Sequence, residues 1–456
     1  MLDIFGENKT LKRVNDLYLD KYDVLVATAG SIVYMLNDGQ LFLNMFSCMV
    51  LDEAHHAVGG KHPYSVLLDI FERQPQEMRP RLLGLTASPF RARTVSSGSQ
   101  KLRELMDLFG TSAILKPEAP RLNQENPQRY QVRPTEHQQK FQREVMRAYR
   151  NQASVVAGHI RDQDLKLTIP KDSVQSLTFP EIGSFKGEIN LIEESLVGGE
   201  PELRKELQKL TALLEALDVV DAIGISSALD LLEENQTTID DQDAFKNLPK
   251  TSQSSSRLQT LRTLLNECQP DSKVLIFVNT RITARRLESV LQTEFPEFKP
   301  NQVVGHGGWD GQQWEGDQDE IIADFHSGKC RLLVSTAVLE EGIDVAACDL
   351  VVRFSGLNTL TQFIQSRGRA RKDGSRFVLL VSDEDIAESK RIEEEEKIMD
   401  MILSSHNMDE NLEISSRPSK RIADLRRITN LFQRNPGSPI FRTIHFWSFM
   451  FHRLSS

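Results

Sequence analysis

The chain has 456 residues, 39% of them hydrophobic and 26% charged, with a net charge of -10. That composition describes a soluble protein of several globular domains and excludes a globally basic nucleic-acid binder, so any contact with nucleic acid has to be local. Four scattered cysteines, Cys48, Cys268, Cys330 and Cys348, lack the C-x-x-C spacing of a zinc site and suit a reducing compartment. No basic and apolar leader opens the sequence, and the apolar stretch Phe441 to Phe451 is broken by Arg442 and His445 and is too short for a bilayer. The expectation is a cytoplasmic protein without a membrane anchor.

In chain order, Gly6-Glu7-Asn8-Lys9-Thr10 has the outline of a phosphate-binding loop, which requires G-x-x-x-x-G-K-[ST] after a buried strand. Asn8 stands at the second glycine and only Leu2, Ile4 and Phe5 precede the turn, so the stretch reads as a surface loop before an amphipathic helix. Val24 to Ala27, Cys48 to Leu51 and Arg81 to Leu85 read as buried parallel strands ending in polar clusters, where open α/β sheets place their ligands. Residues 136 to 250 repeat apolar residues at helical spacing, as in Glu202 to Leu217, and form a helical insert. Asp240 to Ser256 reads as a polar linker.

A second α/β segment follows, with strands predicted at Lys273 to Val278, Arg331 to Ser335, Leu350 to Phe354 and Phe377 to Val381. Beyond Asp383 an acidic tract with Glu393 to Glu396 reads as a solvated helix face. The aromatic tail fits no period.

Val50-Leu51-Asp52-Glu53-Ala54-His55-His56 sets two acids directly after a buried strand, one suited to hold a metal ion and the next to orient an attacking water. Gly84-Leu85-Thr86-Ala87-Ser88-Pro89 ends the following strand with two small hydroxyls. Ser335-Thr336-Ala337-Val338-Leu339-Glu340-Glu341-Gly342-Ile343-Asp344 ends a later one. In Gln365-Ser366-Arg367-Gly368-Arg369-Ala370-Arg371, three arginines crowd into five residues, an arrangement suited to an anion because guanidinium forks match phosphate oxygens.

Taken in order, DEAH, TAS, STAVLEEGID and QSRGRAR resemble motifs II, III, V and VI of superfamily 2 helicases. His62-Pro63-Tyr64, Arg79-Pro80-Arg81, the helical insert and Q-x-x-G-R-A-R are similar to the Dicer and RIG-I-like duplex-RNA ATPases. The resemblance covers roughly residues 20 to 385. It implies an α/β fold of two RecA-like parallel-sheet lobes, the first incomplete (1–118), with a linker and all-α insert (119–250), a second lobe (251–385) and a helical C-terminal extension (386–456). It implies ATP and magnesium as cofactors and double-stranded RNA as partner, with protein partners from RNA-silencing or innate-immune pathways.

Residue by residue, the resemblance makes Asp52 the magnesium ligand and Glu53 the general base. His55, Thr86 and Ser88 couple the nucleotide site to the nucleic-acid site. Arg369 and Arg371 are arginine fingers, Gln365 lines the same cleft, and Gly342 and Asp344 lie by the nucleotide. Thr28 and Gly30 on the first lobe, and Asn279, Thr280 and Thr336 on the second, contact RNA phosphates. Thr28 also suits a helix cap. No direct chemistry falls to His56 or His62, and Trp309 and Trp314 read as local packing.

The family's phosphate-binding loop is not found in the sequence, so the chain is expected to begin partway through a first lobe. Two readings stay open: a piece of a duplex-RNA-activated ATPase, or a chain that binds RNA or a partner without hydrolysing ATP. Branched-DNA translocases are the alternative within the superfamily.

Overall fold

The computed structural model describes residues 2–4, 24–60, 62–111, 114–115, 127–160, 166–171, 173–174, 176–196, 200–269, 271–305, 315–339, 345–356, 359–372 and 374–409. They fall into two compact units, one drawn from Met1–Glu118, Thr359–Ile364 and Lys390–Asp424, the other from Ala119–Asn358, Gln365–Ser389 and Leu425–Ser456. The Gly6 to Thr10 stretch, Gly342, Asp344, Trp309, Trp314 and the aromatic tail lie outside the described residues.

The first unit alternates strands and helices: β1 (Leu2–Ile4), β2 (Leu25–Ala27), α1 (Ala29–Asn37), β3 (Cys48–Leu51), α2 (Pro63–Glu72), β4 (Arg81–Gly84) and α3 (Val95–Leu108). The predicted strands are present as β2, β3 and β4, and the pairing is parallel, β1 with β2 and β3 with β4. They are less buried than their apolar text suggests: β2 is half-buried throughout and Val50 on β3 is 49% exposed. Continuous apolar runs suit strands covered on both faces, and among the described residues only Leu51 of β3 and no residue of β4 is fully buried. The helices anchor this unit through small cores of Met35 and Leu41, and of Leu51, Ala57, Leu67 and Leu68.

The second unit opens with β5 (Gln128–Gln131) and the helices α4 (Glu136–Ala157), α5 (Phe179–Ser195), α6 (Pro201–Ala222), α7 (Ile225–Glu234), α8 (Gln242–Lys246), α9 (Lys250–Gln253) and α10 (Ser256–Asn266). Then come β6 (Val274–Phe277), α11 (Arg281–Glu294), β7 (Asn301–Val303), α12 (Glu315–Ser327), β8 (Leu332–Ser335) and β9 (Leu350–Arg353). β10 (Arg376–Val381) completes the strands of this unit, while the helices α13 (Leu360–Arg367) and α14 (Asp383–Asp409) are each divided between the two units. The sheet is parallel and runs β5-β10-β9-β6-β8-β7. Its four inner strands are the predicted ones, and β6, β8 and β9 are buried at every position.

Three strands escaped the sequence reading: β1, at Leu2–Ile4, where no strand was expected to fit, and the two edges of the six-stranded sheet. β5 reads Gln-Arg-Tyr-Gln and β7 reads Asn-Gln-Val, polar enough to pass as loop because an edge strand needs only one neighbour and a partly covered face. The helical insert is as expected, and its apolar stripe shares one continuous core with the sheet: Leu207, Leu210, Leu214 and Leu217 of α6 join Val274, Ile276, Val334 and Val352.

Two local readings are corrected. Asp240 to Ser256 is no linker, since it folds into α8 and α9, buries Phe245 and sets that ring edge-on to Phe141 at 5.1 Å. Nor is the acidic tract wholly solvated: Glu395 is 4% exposed and lies 3.8 Å from the Arg91 guanidinium. In a helix four consecutive acids cannot all face water, and the inward one takes a cation. No helix of the described residues is long and apolar enough to cross a membrane.

Candidate active site

In the first unit the parallel ladder continues beyond the strand ends. Leu85 N–H donates to Leu51 O at 2.9 Å, and Ala54 N–H to Leu85 O at 2.8 Å. This joins the turn after β3 to the turn after β4. Gly84 permits the approach, because a Cβ there would lie 2.9 Å from the Ala54 Cβ and 2.7 Å from the Phe109 ring. Glu53 adopts the left-handed backbone, φ 49°, and reverses the chain into the short 3-10 turn Ala54–Ala57.

These turns bring five predicted residues together. His55 Nδ1 and Thr86 Oγ1 share a hydrogen bond of 2.9 Å, and the same nitrogen lies 3.3 Å from a Glu53 carboxylate oxygen. Thr86 Oγ1 also accepts from Ser88 N–H at 3.2 Å, while Glu53 N–H donates to Asp52 Oδ1 at 3.0 Å. Ser88 is 2% exposed and its hydroxyl has no hydrogen-bond partner among the described residues. The two acids and the two hydroxyl residues are therefore joined through His55.

His56, His62 and Tyr64 buttress that cluster without entering it. His62 caps α2, its Nδ1 accepting from Tyr64 N–H at 3.2 Å, and stacks on His56 with ring centroids 5.1 Å apart. Tyr64 donates its hydroxyl proton to Asp52 O at 2.8 Å. Burial, and then the Asp52 and Glu53 carboxylates, push the Tyr64 phenol up to about 12. Burial, with His56 and His55 nearby, lowers the His62 pKa and keeps it the neutral acceptor its capping role needs. Thr28 caps α1, its Oγ1 accepting from Ser31 N–H at 3.3 Å, and Gly30 lies in the first turn with nothing within 4 Å of where a Cβ would be.

In the second unit Asn279, Thr280 and Thr336 follow the C-terminal ends of β6 and β8, whereas Arg369 lies beside the start of β9. β6 connects to β7 on one side and β9 to β10 on the other, so the order of winding reverses between β6 and β9, where such sheets form their crevice. Asn279 lies there, its N–H donating to Ser355 Oγ at 3.4 Å and its Oδ1 accepting from Arg353 at 3.4 Å. Thr280 caps α11 and donates its hydroxyl to Asp218. Thr336 is half-buried at the end of β8, its N–H bonded to Val303 O at 3.3 Å. Gln365 and Arg369 are each 9% exposed; Arg371 Nε donates to Gly368 O at 2.5 Å, and Cys348 N–H to Arg369 O at 3.2 Å.

Two residues of this region escaped the sequence reading. Arg353 is 1% exposed and lies over the Phe277 ring at 5.6 Å; a cation inside the apolar text Leu-Val-Val-Arg-Phe was the available signal. Asp218, between Leu217 and Val219 of α6, was equally visible as an acid set into apolar text.

The donor set fits magnesium. Among the described residues no cluster of three or more His, Cys, Asp or Glu side chains could cage an ion. Magnesium instead keeps most of its waters and takes one or two carboxylates with phosphate oxygens, which Asp52 and Glu53 can supply.

Residues 256–374 match the Helicase conserved C-terminal domain. The chain is 26% identical over 429 residues to Endoribonuclease Dicer homolog 2 of Arabidopsis thaliana, covering 82% of this chain and 28% of that one. It is 27% identical over 406 residues to Protein Dicer of Schizosaccharomyces pombe (84% and 28%) and 24% identical over 451 residues to Endoribonuclease dcr-1 of Caenorhabditis elegans (86% and 22%). It thus spans 22 to 28% of the length of these relatives. The Hef helicase domain of Pyrococcus furiosus aligns with a TM-score of 0.49 at 21% identity, over 85% of this chain and 82% of that one. The chain thus carries a helicase C-terminal domain and, with its ordered motifs, is similar to Dicer proteins along more than four-fifths of its length.

Proposed function

We propose that this chain is an ATP-dependent RNA helicase or translocase module of Dicer type, which binds double-stranded RNA and couples it to ATP hydrolysis. The observation that carries the reading is the hydrogen bond between His55 and Thr86, which links the acids at the end of β3 to the hydroxyls after β4. RNA is favoured over DNA because two of the relatives are named as endoribonucleases.

In this reading Glu53 accepts a proton from the attacking water and Asp52 holds magnesium, which when bound neutralises phosphate charge. Arg369 and Arg371 present cations to the γ-phosphate, with Gln365 beside them. Gly342 and Asp344 contact the nucleotide. Thr28, Gly30, Asn279 and Thr336 hold the RNA backbone through polar groups and helix N-termini, and Thr280 through the helix start it caps, which an acidic chain can do without a basic face. His55, Thr86 and Ser88 transmit the state of one site to the other.

ATP turnover by this chain, measured with and without duplex RNA and with forked DNA as competitor, tests the proposal. Stimulation by RNA that Glu53→Gln abolishes supports it. RNA binding without turnover identifies a non-hydrolysing binder, and stronger stimulation by forked DNA a branched-DNA translocase.

A further inference from the structure

The hydroxyl of Thr280 is spent inside the protein. Its oxygen accepts from Thr283 N–H at 3.2 Å, closing the cap of α11, and lies 2.5 Å from Asp218 Oδ2 and 2.9 Å from Thr283 Oγ1. Thr283, fully buried, donates its own hydroxyl to the same Asp218 oxygen at 2.6 Å. One carboxylate oxygen on α6 therefore gathers both hydroxyls of the first turn of α11.

The region around Asp218 is firmly seated. Asp221, one turn on, holds Arg257 at 2.9 Å, Gln138 donates to Val220 O at 2.7 Å and Ser255 to Ala222 O at 2.6 Å. Burial pushes the Asp218 carboxyl up, and the hydrogen bonds from Thr280 and Thr283 hold it down. An acid placed at such cost to its hydration, with a specific pair of donors, is there to fix those donors.

A hydroxyl carries one proton, and that of Thr280 is directed inward. The donors at this turn that lack an acceptor within the helix are the backbone N–H groups of Arg281 and Ile282. We propose that Asp218 is a positioning residue for the turn at 279–281: it clasps Thr280 and Thr283 so that the insert helix α6 fixes the start of α11 and leaves the Arg281 and Ile282 amides to meet a nucleic-acid phosphate. This rests on the reading that the turn contacts RNA. It assigns the insert a second task, setting the geometry of a phosphate contact on the sheet.

The test is titration of a fluorescent duplex RNA with the full chain at several salt concentrations, without nucleotide. Asp218→Asn keeps an oxygen that accepts from both hydroxyls, and binds within about twofold of the unaltered chain. Asp218→Ala binds about tenfold more weakly with its salt slope unchanged, because uncharged amides displace no counterions. Thr283→Val, which keeps the shape and removes one hydroxyl, shows the same change in smaller measure and serves if the alanine variant does not fold. Hydrogen exchange at residues 281–284 speeds up in the alanine and valine variants and not in the asparagine variant, with exchange in α4 unchanged.

Unchanged affinity in Asp218→Ala would overturn the clasp, as would a loss accompanied by a shallower salt slope, which would point to a displaced cation, or an asparagine variant that loses as much as the alanine one. Absence of RNA binding by the unaltered chain would overturn the RNA reading and this inference with it.

Discussion

Arg257 donates from Nε to Asp221 at 2.9 Å, from a position only 5% exposed. Its other nitrogens donate to Phe354 O at 3.0 Å, Leu380 O at 2.8 Å and Asp385 Oδ2 at 3.4 Å, so one guanidinium ties α6 to the ends of β9 and β10 and to the start of α14. Burial works against its charge, and the Asp221 and Asp385 carboxylates maintain it. Removing such a cation strands the groups around it. Arg257→Met is expected to cost about 3–5 kcal/mol in urea denaturation followed by tryptophan-independent circular dichroism. Asp221→Asn should cost about 1–2 kcal/mol, because Asp221 is partly exposed and Asp385 remains.

The junction of His55 with Thr86 should be measurable as a coupling. In a double-mutant cycle of His55→Ala and Thr86→Val, the interaction energy is expected at about 0.5–1.5 kcal/mol in stability. Glu53→Gln should leave the melting temperature within about 2 °C while lowering RNA-stimulated ATP turnover at least ~100-fold, the usual share of a general base. A coupling near zero would show the two turns to be neighbours without mutual support.

His62 supplies a pH dependence with a defined sign. Its pKa is lowered in the folded chain, mainly by burial, so its contribution to stability is present above the ordinary histidine value of 6.5 and is lost as pH falls below it. Protonation removes the lone pair that accepts from Tyr64 N–H. Protection against hydrogen exchange at the first turn of α2, taken relative to the slower intrinsic exchange in acid, should therefore fall between pH 7 and pH 5.5. His62→Asn, a cap without a titrating ring, should flatten that response, whereas His62→Ala should lose about 1 kcal/mol at pH 7 and progressively less as the pH falls below the histidine range.

Three glycines separate packing from contact. Gly84→Ala should cost about 1–3 kcal/mol, since the new methyl meets Phe109 and Ala54. Gly224 has φ +134° and its Cβ would lie 2.0 Å from Gln253 O, so Gly224→Ala should cost about 3 kcal/mol or more. Gly30→Ala meets nothing and should raise stability by about 0.5 kcal/mol. Weaker RNA binding in that stable variant would assign Gly30 a contact and not a folding role.

The strands that the sequence made legible were those whose two faces are covered. β6, β8 and β9 announce themselves as apolar runs because every position is buried. Motif chemistry was legible for a related reason: Asp52, Glu53, Thr86 and Ser88 stand directly after strands, where polar groups interrupt an apolar text. The edges β5 and β7 lacked that contrast, and Phe245 and Leu248 were too sparse in a serine-rich stretch to reveal packed helices. Long-range partners stayed hidden as well. Asp218 could be seen as an acid between Leu217 and Val219, but its attachment to Thr280, 62 residues on, is a property of the folded chain.

The edge strand β5 has a consequence for how the chain is made. It lies beside β10, and Arg376 Nε reaches Gln128 Oε1 at 3.1 Å across 248 residues of sequence. At about 5–20 residues per second a ribosome needs on the order of ten to fifty seconds to deliver β10 after β5. Until then β5 waits without its neighbour while the helices of the insert, whose contacts are local, can already form. A segment cut to residues 256–374 would contain neither β5 nor β10. It would expose β9, with Leu350, Val351 and Val352, as an unpaired edge, and should be recovered from cells as aggregate where a segment of residues 127–389 stays in solution.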